Sequence, residues 1–288
     1  MLTDTLFSQV ALLFAVGERQ KYKAIVKALP QLVENSKFDE IGNLLVSCGS
    51  FQVANNFKDI ISFFRGNHDK ISKIVEIGTF NFASSTLINL LKPEEAIFYG
   101  FDNWELGGTK ARLIAEWRCR SFPNSRVITG HPLSSSIDVR NLENTNMLVI
   151  DGHHSFRSTL KDSKCLSLLT DGATIFFHDC GLGNRIWGCF WAYYVLQKYS
   201  VITPYDGRFD NCIARVDARK KPNVKSGEKP EIEFAIGKFR KDEFVKRERL
   251  LCDPEFLWQE ICERFKIRPG LDINSQSKTW DELFSDRI

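Results

Sequence analysis

Residues 146–184 read NMLVIDGHHSFRSTLKDSKCLSLLTDGATIFFHDCGLGN. Two apolar runs, 146–150 and 173–177, have the length of buried strands. Each ends in polar residues: Asp151-Gly152-His153-His154 after the first, His178-Asp179 after the second. The segment between them has the pattern of a helix. Continuous apolar strands joined through a helix are parallel neighbours in a sheet covered on both faces, and their crossover is right-handed. In such sheets ligands bind just beyond the carboxyl ends of the strands. Both clusters should therefore face one crevice, where carboxylates and imidazoles suit a divalent metal beside a proton acceptor.

The same alternation extends outward in both directions. KIVEIG (73–78), AIFYGFD (96–102) and RVITG (126–130) read as strands, with helices ASSTLINLL (83–91) and GTKARLIAEWRCRSF (108–122) between them. Downstream, GNRIWGCFWAYYVLQKY (183–199) reads as one long helix, and SVITPY with NCIARV (211–216) predicts a closing antiparallel pair. The expected fold is α/β and Rossmann-like, a mostly parallel sheet with a closing antiparallel strand. Residues 1–70 read as a helical N-terminal extension divided at Pro30, because Leu6, Val10, Leu13 and later Ile41, Leu44, Leu45 recur at helical steps. Residues 71–217 form the α/β domain. Residues 218–288 read as a basic linker and helical C-terminal extension. Residues 219–249 hold 11 Lys/Arg against 6 Asp/Glu, which reads as a solvated face. Pro222, Gly227 and Pro230 suggest the linker, and EFLWQEICERF (255–265) an amphipathic helix.

A chain of 288 residues with 43% hydrophobic and 26% charged residues can build one large globular domain with extensions. Its net charge of +3 is too small to argue for nucleic acid or a membrane surface. No apolar run reaches the length of a membrane span. The start, MLTDTLFSQVALLFAVGERQ, carries an acidic residue and no basic lead ahead of its apolar stretch, so it reads as a helix rather than a signal peptide. Eight scattered cysteines without a CxxC pair point to reduced thiols and a cytoplasmic setting.

The turn after the first strand, Gly78-Thr79-Phe80, can offer backbone N–H groups to a cofactor, and Gly78 permits close approach. Asp102 ends the second strand 24 residues later, where a carboxylate can accept from both ribose hydroxyls. The plainer alternative is a glycine in a tight turn and an aspartate capping the next helix. Gly-x-Gly-x-x-Gly is absent, which speaks against a dinucleotide-dependent dehydrogenase. Gly66-Asn67-His68-Asp69 is similar to one block of the calcineurin-type metallophosphoesterases. The first 65 residues contain no histidine to complete such a site, so it reads as a helix-terminating turn.

The order EIGT (76–79), GFD (100–102), TG (129–130), VIDGHHS (149–155) and FFHD (176–179) resembles the class I S-adenosylmethionine-dependent methyltransferases. More narrowly it resembles the branch of macrocin-type sugar O-methyltransferases and cephalosporin hydroxylase-like proteins, over residues 74–216. The resemblance implies S-adenosyl-L-methionine held by Glu76, Gly78, Thr79 and Phe80 in the first turn. It places Asp102 on the ribose, Gly130 and His131 at the adenine, and Asp151 at the cofactor's edge. It further implies Mg²⁺ on Asp151 and Asp179, with His178 as a softer ligand, and His154 as general base, whose ordinary pKa of about 6.5 suits that role. The implied activity is metal-assisted O-methylation of a small hydroxylated acceptor, a sugar or glycosylated natural product. The expected partners are that acceptor and a second copy of the chain, with neither membrane nor nucleic acid.

The chain departs from the pattern. Phe82-Ala83 replace a pair of glycines, and a phenylalanine resists positive φ, so the loop should differ or the cofactor sit slightly away. His131, His178 and Cys180 stand where acidic or amide residues are common. These departures leave open a methyltransferase-like binding protein without catalysis.

Overall fold

The computed structural model describes residues 2–50, 54–182, 185–220, 234–268 and 271–284. Three helices lead the chain: α1 (Leu2–Glu34), α2 (Phe38–Ser47) and α3 (Ala54–Asn67). Then β1 (Lys73–Ile77), α4 (Ala83–Leu91), β2 (Ile97–Asp102), α5 (Gly108–Cys119) and β3 (Ser125–Thr129) alternate. They are followed by β4 (Thr145–Ile150), α6 (Phe156–Asp162) and β5 (Leu169–Phe177). The remainder is β6 (Arg185–Trp187), α7 (Gly188–Lys198), β7 (Ile202–Pro204), α8 (Arg208–Asp217), β8 (Ala235–Phe239), α9 (Lys241–Leu251), α10 (Pro254–Phe265), β9 (Ser277–Thr279) and α11 (Trp280–Phe284).

The main sheet runs β3-β2-β1-β4-β5-β8-β7. Its first five strands are parallel, with Ile77 opposite Phe101 on one side and Ile150 on the other. The order reverses between β1 and β4, and a crevice opens at such a switch point. Alternate side chains divide the core between two faces. Ile74, Phe98, Met147, Val149 and Phe176 pack under α1–α5, with Tyr22, Leu29, Leu45 and Phe57. Val75, Phe101, Leu148, Ile150 and Phe177 pack under α6–α11, with Phe190, Trp191, Leu257 and Leu283. The N-terminal helices are thus one of the two layers covering the sheet.

Four expectations are corrected here. Pro30 lies exposed inside α1, in its last turns, and does not divide it; the chain turns at Ser36, at φ 55. NCIARV is helical: Phe209, Cys212 and Val216, at three- and four-residue steps, bury one face of α8. The reversed strand is instead β8, which pairs antiparallel with both β5 and β7 (Phe177 with Ala235, Ile202 with Phe239). It lies past residue 217, within the stretch read as linker and extension. The helix read over 183–199 begins only at Gly188, because Arg185–Trp187 pair with Ser277–Thr279.

Helix α3 ends at Asn67, and a short 3₁₀ turn over His68–Lys70 follows, as read for the GNHD string. Residues 221–233, which hold Pro222, Gly227 and Pro230, lie outside the described residues. The eight cysteines are all thiols. Among the described residues, no helix is long and apolar enough to cross a membrane.

Candidate active site

A cleft of about 970 Å³ opens across the carboxyl ends of β1–β5. Its floor is the turn after β1. Gly78 has φ +93, and a Cβ there would lie 1.9 Å from the Asp151 carbonyl oxygen. Glycine is demanded at this point by the adjoining β4 backbone, before any ligand is considered. Phe80 and Phe82 follow with φ of 46 and 68. Left-handed backbone costs about 1–2 kcal/mol for each such residue. Phe82 nevertheless adopts it, contrary to expectation. Its ring is fully buried edge-on against Phe98 at 5.7 Å, and burying a ring of that size outweighs the strain. Helix α4 then starts without a side-chain cap, and Ser84 of its first turn lines the cleft.

Asp102 at the end of β2 is locked by two backbone donors. The N–H of Phe80 donates to Oδ2 at 2.7 Å and that of Trp104 to Oδ1 at 2.6 Å. Burial raises its pKa above the ordinary value, and the two N–H groups oppose that shift. Each oxygen keeps a lone pair for a further donor. Gly130, at the end of β3, donates its N–H to the Asp102 carbonyl at 2.8 Å, so the two strand ends adjoin. Of the residues expected to hold a cofactor, Gly78, Phe80, Asp102, Gly130, His131 and Asp151 line the cleft. Glu76 and Thr79 do not. Glu76 is buried beneath α4, receives a hydrogen bond from the Ser85 hydroxyl, and is pushed by burial from 4.5 to about 8. Thr79 turns its hydroxyl to the Phe101 carbonyl.

The ends of β4 and β5 carry four ionisable side chains, 10–19% exposed. His154 lies 2.8 Å through Nδ1 from Asp179 Oδ2 and 3.3 Å through Nε2 from Asp151 Oδ1. His178 Nδ1 lies 2.7 Å from Asp151 Oδ1 and 3.5 Å from Asp179 Oδ2. The Trp187 ring stands edge-on to His154 at 5.4 Å. Burial disfavours the charged form of His154, yet bonds to Asp151 and Asp179 outweigh it and lift the ring from 6.5 to about 9. Burial likewise opposes ionisation of both aspartates, yet the facing His178 and His154 hold each below the usual carboxylate range. At neutral pH His154 is therefore an imidazolium, and its pKa departs from the ordinary one the sequence suggested. Donor atoms of Asp151, His154 and His178 lie within 4.8 Å of one another, close enough to share one ion.

Several cleft residues gave no sequence signal. Ser50 enters from the loop after α2 and Gln276 from just before β9. The first is held by a buried clamp: Arg118 donates to the carbonyls of Asn81 (3.0 Å) and Cys48 (2.8 Å), while Asn81 Nδ2 donates to the Gly49 carbonyl (3.0 Å). Asp162 of α6 also lines the cleft, beside His131. His153 lines the rim, exposed, and its Nδ1 accepts from the Ser155 N–H. Trp104 and Trp191 belong to the core.

No protein-family model matches the chain, and no curated protein does. Solved structures do. TomG, an O-methyltransferase of Streptomyces achromogenes involved in tomaymycin synthesis and solved with S-adenosylmethionine, is 14% identical. It superposes with a TM-score of 0.40 over 66% of this chain and 81% of its own. A fibrillarin of Aeropyrum pernix, solved with natively bound S-adenosyl-L-methionine, is 10% identical, with a TM-score of 0.36 over 58% of this chain and 66% of its own.

Proposed function

We propose that the chain is an S-adenosylmethionine-dependent methyltransferase that methylates a hydroxyl of a small acceptor. The observation that carries this reading is one continuous cleft at the switch point. At one end it holds a carboxylate locked by two N–H groups, and at the other a tetrad of Asp151, His154, His178 and Asp179. Asp102 would accept the ribose hydroxyls, and the Gly78 turn would support the sulfonium end of the cofactor. The acceptor would enter over the tetrad from the side of His153 and Gln276. Its oxygen attacks the methyl carbon, the carbon–sulfur bond breaks to leave a thioether, and the hydroxyl proton passes to the tetrad.

His154 can take that proton only from its neutral form. While it contacts both carboxylates it is charged at neutral pH. An acceptor hydroxyl that displaces one of the two contacts returns the ring toward its ordinary range, coupling acceptor binding to readiness of the base. The donor set can also hold a divalent cation. Asp151, His154 and His178, whose donor atoms converge, would bind it, in place of His154 acting as base, and mixed carboxylate–imidazole ligation suits manganese, iron or zinc better than magnesium, which favours oxygen alone. Such an ion would supply positive charge that stabilises the alkoxide form of the acceptor.

Calorimetric titration with S-adenosyl-L-homocysteine tests the cofactor reading. Micromolar binding, weakened in Asp102→Ala, is the expected result. No heat at millimolar ligand would abandon it in favour of a non-catalytic binding protein.

A further inference from the structure

Arg118, in the last turn of α5, is 5% exposed and sits at the seam between the N-terminal helices and the turn after β1. One Nη donates to the Asn81 carbonyl at 3.0 Å and to Asn81 Oδ1 at 3.2 Å; the other donates to the Cys48 carbonyl at 2.8 Å. The Tyr22 ring of α1 lies 4.9 Å from the guanidinium carbon, and the Tyr22 and Thr86 hydroxyls share a hydrogen bond of 2.8 Å. Asn81 closes the circuit, donating from Nδ2 to the Gly49 carbonyl and accepting at Oδ1 from the Ala83 N–H. A buried guanidinium is bound firmly to such acceptors, because losing one leaves charge uncompensated. Asn81 itself lies between Phe80 and Phe82, whose φ values are 46 and 68. Left-handed backbone is unfavourable for both and persists only where the surroundings overrule it. The clamp supplies that constraint one residue after Phe80, whose N–H reaches Asp102 Oδ2 at 2.7 Å.

Resting on the cofactor reading above, we infer that Arg118 is a positioning residue that makes the N-terminal helical layer part of the cofactor site. It locks the Phe80–Phe82 turn, and through that turn the carboxylate of Asp102, from outside the cleft. Asn81 and Ser50 line the cleft, while Arg118 and Gly49 stand behind them. Cofactor affinity therefore depends on residues that the ligand never touches. The layer that covers one face of the sheet also sets the geometry of the site.

The test is calorimetric titration of full-length variants with S-adenosyl-L-homocysteine, at a temperature where circular dichroism shows them folded. In Gly49→Ala a Cβ would lie 2.7 Å from Asn81 Nδ2, on backbone at φ +88, so the clamp is disturbed without loss of a polar group. Affinity should fall about ten-fold there and about ten- to hundred-fold in Arg118→Met, with partial recovery in Arg118→Lys. Placed on Asp102→Ala, Arg118→Met should cost little more, because the group it positions is gone. Unchanged affinity in Gly49→Ala and Arg118→Met, or losses that multiply in the double variant, would overturn the inference and leave the cofactor reading standing. If the wild type bound no ligand, both would fall. Gly49→Ala decides even if Arg118→Met does not fold.

Discussion

On the β1–β2 side of the cleft, polarity comes from backbone N–H groups and the one carboxylate they hold. On the β4–β5 side it comes from four ionisable side chains in mutual contact. The first side holds three positive-φ residues, Phe80, Phe82 and Trp104, against one, Asp179, on the second, and keeps its buried acid, Glu76, neutral. The second balances charge, two aspartates held ionised against imidazoles. A rigid turn suits a ligand that must be placed, and a charged tetrad suits a proton that must move. Strained backbone at a site persists only where surrounding packing overrules it.

Substitutions on the two sides should therefore fail differently. The largest effect is expected at His154. In His154→Ala, turnover on the true acceptor should fall by about 10²–10⁴-fold while S-adenosyl-L-homocysteine affinity stays within roughly two-fold. Full activity in that variant would remove His154 from the proton path and erase the contrast between the halves. On the opposite side, Phe82→Gly relieves about 1–2 kcal/mol of strain but deletes a buried ring worth about 3–5 kcal/mol. Denaturant unfolding should report a net loss of roughly 1–4 kcal/mol. A stabilised variant would mean that strain, not packing, dominates this turn.

Asp102→Ala should weaken S-adenosyl-L-homocysteine by about ten- to hundred-fold, since hydrogen bonds to a charged acceptor are lost. Equal affinity would place the ribose elsewhere. The last effect is a change of slope with pH. The folded-state pKa of Glu76 is raised from 4.5 to about 8, so its contribution to stability is complete below 4.5 and is lost as pH rises through 8. Glu76→Gln should flatten that decline between pH 5 and pH 8 in thermal melts. The part of the decline due to His154, raised from 6.5 to about 9, should remain up to pH 9. The aspartates act with the opposite sign, because their pKa values are lowered and their contribution disappears only in acid. A variant that declines as the wild type does would show that Glu76 is not neutral when folded.

The strands that frame the cleft were legible because a parallel strand buried on both faces reads as a continuous apolar run, and the polar residue ending each run marks the crevice. NCIARV was not, since Cys212, Ala214 and Val216 alternate as well as Phe209, Cys212 and Val216 step. Helical burial won. β8 was hidden because AIGKF stands among basic residues that read as linker. The charge of His154 depends on Asp179, 25 residues downstream, and no local pattern records that pairing. Ser50, Asp162 and Gln276 reach the cleft through tertiary packing alone.

The most direct test is a crystal structure with S-adenosyl-L-homocysteine. The account predicts ribose hydroxyls within hydrogen-bond distance of Asp102, the base beside Gly130 and His131, and the sulfur opening toward the Asp151–His154–His178–Asp179 tetrad. A ligand with its nucleoside over the tetrad and its sulfur at Gly130 would contradict it.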